Sequence, residues 1–233
     1  MPINIPDGLP AKHTLHQERI FALEEEVAEY QQIRPLKIAI LNLMPTKIQT
    51  ETQILRLISK SPIQVSCDFM RISSHVSKHT PEDHLVTFYD TFESFEHKNY
   101  DGLIVTGAPL EDMRYEDVDY WDEFCRIIDW SQEHCFSTMY LCWGALAGLY
   151  YLYGIPKKQL GSKLFGIFPQ RLCDEYSFLT NGFDEVHNMP HSRHAAIDTG
   201  ELSKHPELAV LSEGFDSGPA LLATRDFHEV YVT

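Results

Sequence analysis

The chain lacks the marks of several protein classes. Its five cysteines, Cys67, Cys125, Cys135, Cys142 and Cys173, form no CxxC pair and show no regular spacing. An odd, irregular set argues against a disulfide framework and for a reduced, cytoplasmic setting. The opening "MPINIPDGLPAKHTLHQERI" has neither the basic nor the apolar region of a signal peptide. No run approaches the ~20 apolar residues of a membrane helix. Basic residues are scarce: 19 Lys and Arg stand against 34 Asp and Glu, a formal charge of −15. That leaves no basis for a nucleic-acid surface or an anionic-membrane surface, both of which need clustered cations. A small anionic ligand needs only a local positive site. There is no repeat and no low-complexity stretch.

The 233 residues are 43% hydrophobic and 23% charged, which supports a folded domain with a sizeable core. Residues 1–34 read as an N-terminal extension ending in an acidic helical face, "EEEVAEY". From Pro35 strands and helices alternate. "LKIAILNLM" is a continuous aliphatic strand. "TKIQTETQILRLISK" is an amphipathic helix with Ile54, Leu55 and Ile58 on one side. "IQVSCDFMRI" is a strand, and "PEDHLVTFYDTFESF" a helix with Pro81 in its first turn. "YDGLIVTGAPL", "DYWDEFCRIIDWSQEH" and "FSTMYL" continue as strand, helix and strand. After Pro156 shorter pieces follow: "KLFGIF", "LAVLSEG", "ALLATRD" and "EVYVT". The expected fold class is α/β, one domain over 1–233, with a mostly parallel central sheet, helices on both faces and a partly antiparallel C-terminal portion. Function in such folds collects at the carboxyl ends of strands.

One such end is "FSTMYLCWGALAG", residues 136–148. Cys142 closes a strand, and small residues open a helix. A tight strand-to-helix turn needs small neighbours, as at the nucleophile elbow of hydrolases. An isolated cysteine is more often structural. Here the helix N-terminus would lower the thiol pKa, and the backbone N–H of Trp143 would receive an oxyanion. His191 and His194 stand three residues apart with no third ligand in view, so no metal site is expected.

"LCWGALAGLYYLYGIPK" closely resembles the segment around the nucleophile of the homoserine O-acyltransferase (homoserine transsuccinylase) family. "MPINIPDGLPA", "IRPLKIAILNLMPTKIQTETQILRL", "YDGLIVTGAPLE", "VDYWDEF", "SKLFGIF" and "PHSRH" resemble it in the same order. The resemblance implies a class I glutamine amidotransferase-like (flavodoxin-like) fold. It also implies ping-pong transfer from an acyl-CoA, through a thioester on Cys142, to the hydroxyl of a small amino acid. Acyl-CoA enters as a substrate, and no bound cofactor is implied. The family also suggests a homodimer.

Further residues take roles from the same resemblance. Glu111, in "TGAPLED", matches the position that selects the acyl donor, and glutamate there goes with acetyl rather than succinyl. A second carboxylate beside a succinyl tail is repulsive and costly to desolvate. Lys163 and Ser192 match substrate-contacting positions, and Arg193 could hold an amino-acid carboxylate by a bidentate pair. Lys47, in "MPTKIQTE", is a weaker candidate, with a Thr46 N-cap as the plain alternative. The expected activity is therefore homoserine O-acetylation in methionine biosynthesis, with homoserine O-succinylation as one alternative. "HNMPHSRHAAI" departs from the commoner family pattern, which keeps serine open as the acceptor. The family's base histidine and its glutamate lie in a Gly-His-x-Glu-Tyr motif after a strand like "HEVYVT". That motif is not within these 233 residues, so a truncated chain is expected; a complete one would lack the general base and be catalytically crippled. A glutamine-hydrolysing relative and a non-catalytic remnant complete the alternatives.

Overall fold

The computed structural model describes residues 3–25, 34–75, 79–174 and 177–233. Most of "EEEVAEY" falls outside them. Chain contacts group into two compact units, Met1–Val105 with Asp122–Phe136, and Thr106–Trp121 with Ser137–Thr233.

The first unit carries β1 (Ile3–Ile5), α1 (Ala11–Gln17), β2 (Ala22–Glu24), β3 (Leu36–Leu41), α2 (Lys47–Ile58) and β4 (Val65–Met70). It continues with α3 (Glu82–Phe88), β5 (Tyr89–Asp90), β6 (Gly102–Val105) and nearly all of α4 (Trp121–His134). Its strands run in the order β2-β1-β4-β3-β6, with β5 also on β4, and every pairing is parallel. The continuous apolar run of β3 is explained by burial, which is complete at Ala39, Ile40 and Leu41. On α2 the inward face carries Ile54 and Leu55, while Leu57 faces solvent at 73% exposure. Residues set apart as an N-terminal extension supply two strands and bury Ile3, Ile5 and Leu15 in this core.

One expected helix is shorter than its pattern indicated. It ends at Phe88, and Pro81 sits at its N-cap. Tyr89 leaves helical geometry to pair with Phe69 of β4, and its ring is buried. Its hydroxyl donates to the buried Glu51 carboxylate at 2.6 Å. Burying the ring and satisfying the carboxylate outweigh the local helical pattern.

The second unit carries the segment 106–121, β7 (Thr138–Leu141), α5 (Trp143–Tyr153), β8 (Lys157–Leu172) and β9 (Val186–Ile197). The short α6 (Thr199–Leu202), β10 (Leu208–Gly214), β11 (Gly218–Thr224) and β12 (Glu229–Val232) follow. The strand order is β7-β12-β11-β10-β8-β9. β12 runs parallel to β7, and the remaining pairs are antiparallel. The antiparallel character expected of this region is present. Its pieces are longer than the sequence indicated, because β8 and β9 pair from Lys157 opposite Ile197 to Arg171 opposite Val186, with an irregularity between Gln159 and Leu164.

Helix α5 is apolar on most sides because it is buried on most sides. Its small residues let it lie close to the sheet. Tyr140 of β7 and Tyr231 of β12 are register partners, and their rings stack at 4.8 Å and 10°. Gly148 rests on this pair: a Cβ there would come within 3.0 Å of the Tyr140 ring and 3.2 Å of the Tyr231 ring. Neither ring can yield without disturbing the other. Gly148→Val is therefore expected to destabilise the protein by roughly 1–3 kcal/mol, the usual cost of overpacking. Urea unfolding measures it, and an unchanged midpoint would contradict this packing.

Candidate active site

Strand β7 ends at Leu141 and α5 begins at Trp143, so Cys142 alone makes the turn. Its backbone is at φ 51° and ψ −115°, on the side of φ that L-residues avoid. Such a conformation costs of order 1–3 kcal/mol and persists only where its surroundings fix it. Here the Cys142 N–H donates to the Val232 carbonyl at 2.7 Å. The Cys142 carbonyl accepts from Ala145 and Leu146. Trp143 is fully buried, with its ring against Tyr115 and Tyr120. The elbow is thus held from the strand and from the helix.

Cys142 is half-buried. The Trp143 backbone N–H lies beside the sulfur and favours its charged form. Gly107 packs against it: an added Cβ would lie 3.1 Å from Cys142 Cβ and 3.7 Å from Sγ. Only glycine leaves the sulfur's flank open. This residue was missed in the sequence, where "TGAP" reads as a turn.

The thiol pKa moves opposite to expectation. Burial pushes it up, Glu111 adds to the rise, and the Trp143 N–H and Arg193 oppose it. The lowering expected from the helix N-terminus is outweighed by desolvation of the thiolate.

Glu111 lies in the 106–121 segment, and its charge reaches the thiol. That segment is pinned by β8. Lys157 Nζ donates to the carbonyls of Met113 at 2.5 Å and Leu110 at 3.4 Å, and sits 4.5 Å over the Tyr115 ring. Gln159 Nε2 donates to the Glu111 carbonyl at 2.5 Å. Nothing local in the sequence marks Lys157 or Gln159, because their partners lie more than forty residues away.

Ser192 and Arg193 are neighbours on β9 and therefore face opposite ways. Arg193 is buried, and its charge acts on Cys142. Ser192 is exposed, opposite Phe165. Lys163 is also exposed, with its ammonium 5.6 Å from the Phe165 ring centre. The structure therefore brings Cys142, Trp143, Glu111 and Arg193 together. It sets Lys163 and Ser192 on the outward face of the β8–β9 hairpin.

Lys47 belongs to the first unit and is buried there. Its ammonium donates to the carbonyls of Asn42 and Met44. Burial brings its pKa down to about 8. Thr46 takes the N-cap position without a side-chain capping bond.

A half-buried cysteine sits on a strained strand-to-helix elbow at the carboxyl end of a parallel strand, within an α/β fold of the class I glutamine amidotransferase-like type. Solved structures bear out the fold. A putative GMP synthase component from Thermoplasma acidophilum superposes with a TM-score of 0.60 at 11% identity, over 85% of this chain and 83% of that one. A glutamine amidotransferase from Thermotoga maritima gives 0.58 at 9% identity, over 85% and 75%. Sequence comparison goes further. A family model described as homoserine O-succinyltransferase matches residues 2–233. The homoserine O-acetyltransferase of Bifidobacterium adolescentis is 61% identical over 231 residues, 99% of this chain and 67% of that protein. That of Desulfitobacterium hafniense is 49% identical over 233 residues, 100% of this chain and 76% of its own length. The chain belongs to the homoserine O-succinyltransferase family of acyltransferases. No helix among the described residues is long and apolar enough to cross a membrane.

The charges around Cys142 generate a prediction with a definite sign. Thiols react as thiolates, so a raised pKa delays reactivity to higher pH. Glu111→Gln removes a charge that raises this pKa. Its alkylation midpoint is expected to fall, with faster reaction at any fixed pH below it. An unchanged midpoint would show that Glu111 exerts no effective field on the sulfur.

Proposed function

We propose that this protein transfers an acetyl group from acetyl-CoA to the hydroxyl of L-homoserine through a thioester on Cys142. The observation that carries the reading is the elbow, a strained, half-buried cysteine at the start of a helix, with the Trp143 N–H beside its sulfur. The homoserine O-acetyltransferase names of the relatives support the same choice.

The chemistry follows from the elbow. Sγ attacks the acetyl carbonyl, and the developing oxyanion is met by the Trp143 N–H. The bond from carbonyl carbon to CoA sulfur breaks, and the CoA sulfur takes up the proton that Sγ gave up, so CoA leaves as a thiol. Homoserine oxygen then attacks the thioester, its proton passes to a base, and Sγ is released. No described residue is assigned the role of that base. One thioester replaces another, so the first step runs at little thermodynamic cost.

Glu111 supplies the choice of donor. Its carboxylate, close enough to act on the Cys142 thiol, repels a donor that carries a second carboxylate. Acetyl has none. Ser192 and Lys163 remain candidates for substrate contact; Arg193, expected to hold the acceptor's carboxylate, instead shares the electrostatic surroundings of Cys142 and spends two of its nitrogens within the fold. A homodimer in the cytoplasm completes the reading, resting on the family resemblance and the cysteine pattern.

Release of CoA thiol tests this directly, with acetyl-CoA or succinyl-CoA and homoserine or serine. Release is expected with acetyl-CoA and homoserine, and is expected to vanish in Cys142→Ala. Glu111→Gly is expected to raise the succinyl-CoA rate relative to acetyl-CoA by about tenfold or more, the scale of one removed charge contact. Preference for serine would move the acceptor assignment and keep the mechanism. Full activity in Cys142→Ala would overturn the reading.

A further inference from the structure

Arg193 is almost wholly buried, at 2% exposure. A guanidinium is rarely placed there without a carboxylate to pair with. Its donors go elsewhere: one terminal nitrogen donates to the Thr233 hydroxyl at 3.0 Å, and the other to the Ser217 carbonyl. Its buried Nε has no hydrogen-bond partner among the described residues. The Thr233 hydroxyl itself donates to the Pro219 carbonyl at 2.7 Å, and the Thr233 N–H to Ala220. Arg193 therefore ties the residue that follows β12 to the turn before β11. The next carbonyl back, Val232, is the one that receives the Cys142 N–H.

We propose that Arg193 is a positioning residue for the Cys142 elbow: it fixes the end of β12 that holds the elbow's N–H, and it supplies the positive field in which the Cys142 thiolate forms. The proposal rests on Cys142 being the nucleophile. The groups acting on that sulfur are Glu111 from the 106–121 segment, the Trp143 N–H from α5 and Arg193 from β9. Lys157 faces Glu111 from β8. His191, on the same face of β9, is held towards its neutral form by burial and by Arg193. Arg193 is thus the cation opposing Glu111. This differs from holding the acceptor's carboxylate, since two of its nitrogens are already committed within the fold.

The test follows alkylation of Cys142 by iodoacetamide against pH, read by mass spectrometry, in wild type, Arg193→Met and Arg193→Lys. No CoA is needed, so the outcome is independent of whether acetyl transfer is the reaction. Arg193→Met is expected to raise the midpoint by about one pH unit, the scale of losing a neighbouring opposite charge. Arg193→Lys is expected to restore at least about half of that shift. An unchanged midpoint in folded Arg193→Met overturns the proposal. So does an unchanged midpoint with a homoserine KM raised about tenfold, which would make Arg193 an acceptor contact. Should Arg193→Met not fold, Arg193→Lys decides: a midpoint close to wild type supports the proposal, and one raised by a full unit with the charge retained overturns it.

Discussion

The hydrogen bond from the Cys142 N–H to the Val232 carbonyl is the constraint on which the site depends. It joins the end of β7 to the end of β12 at the point where the backbone takes a positive φ. It opposes relaxation of the cysteine toward ordinary strand or helix geometry. The surrounding elements make this one bond dependable. The Tyr140–Tyr231 stack keeps the two strands in register. Helix α5 lies close over that stack because Gly148 has no side chain to hold it off. The strained turn is stored in a place where sheet, helix and a neighbouring strand end all oppose its release.

The same turn sets the electrostatics. Placing the thiol half inside the protein raises its pKa, and Glu111 raises it further. Under the proposed reaction, the carboxylate that selects the donor works against the nucleophile it accompanies. The Trp143 N–H and Arg193 oppose it, and the balance among these groups determines how much thiolate exists at a given pH. In this account selectivity for an uncharged acyl group and ease of forming the thiolate are coupled through one small cluster of charges.

Much of the fold was legible because it follows from periodicity. The aliphatic run of β3, the amphipathic face of α2 and the strand-Cys-small-helix pattern at Cys142 are local signals, and each matches its element. The misreadings had tertiary causes. Tyr89 ends a helix early to reach Glu51, sitting 38 positions back. Burial outweighs the helix N-terminus at the Cys142 thiol, and burial has no local signature. Ser192 and Arg193 are adjacent in sequence, yet an extended strand sends neighbours to opposite faces. Gly107, Lys157 and Gln159 act through contacts that only the folded chain creates.

The most direct test of the account is the mass of the protein after exposure to acetyl-CoA with no amino acid present. One added acetyl group is expected, carried on the peptide containing Cys142, removed by hydroxylamine and discharged when homoserine is supplied. An acetyl group found on another residue, or homoserine acetylated with no such adduct on the way, would contradict the central claim that the elbow cysteine carries the acyl group.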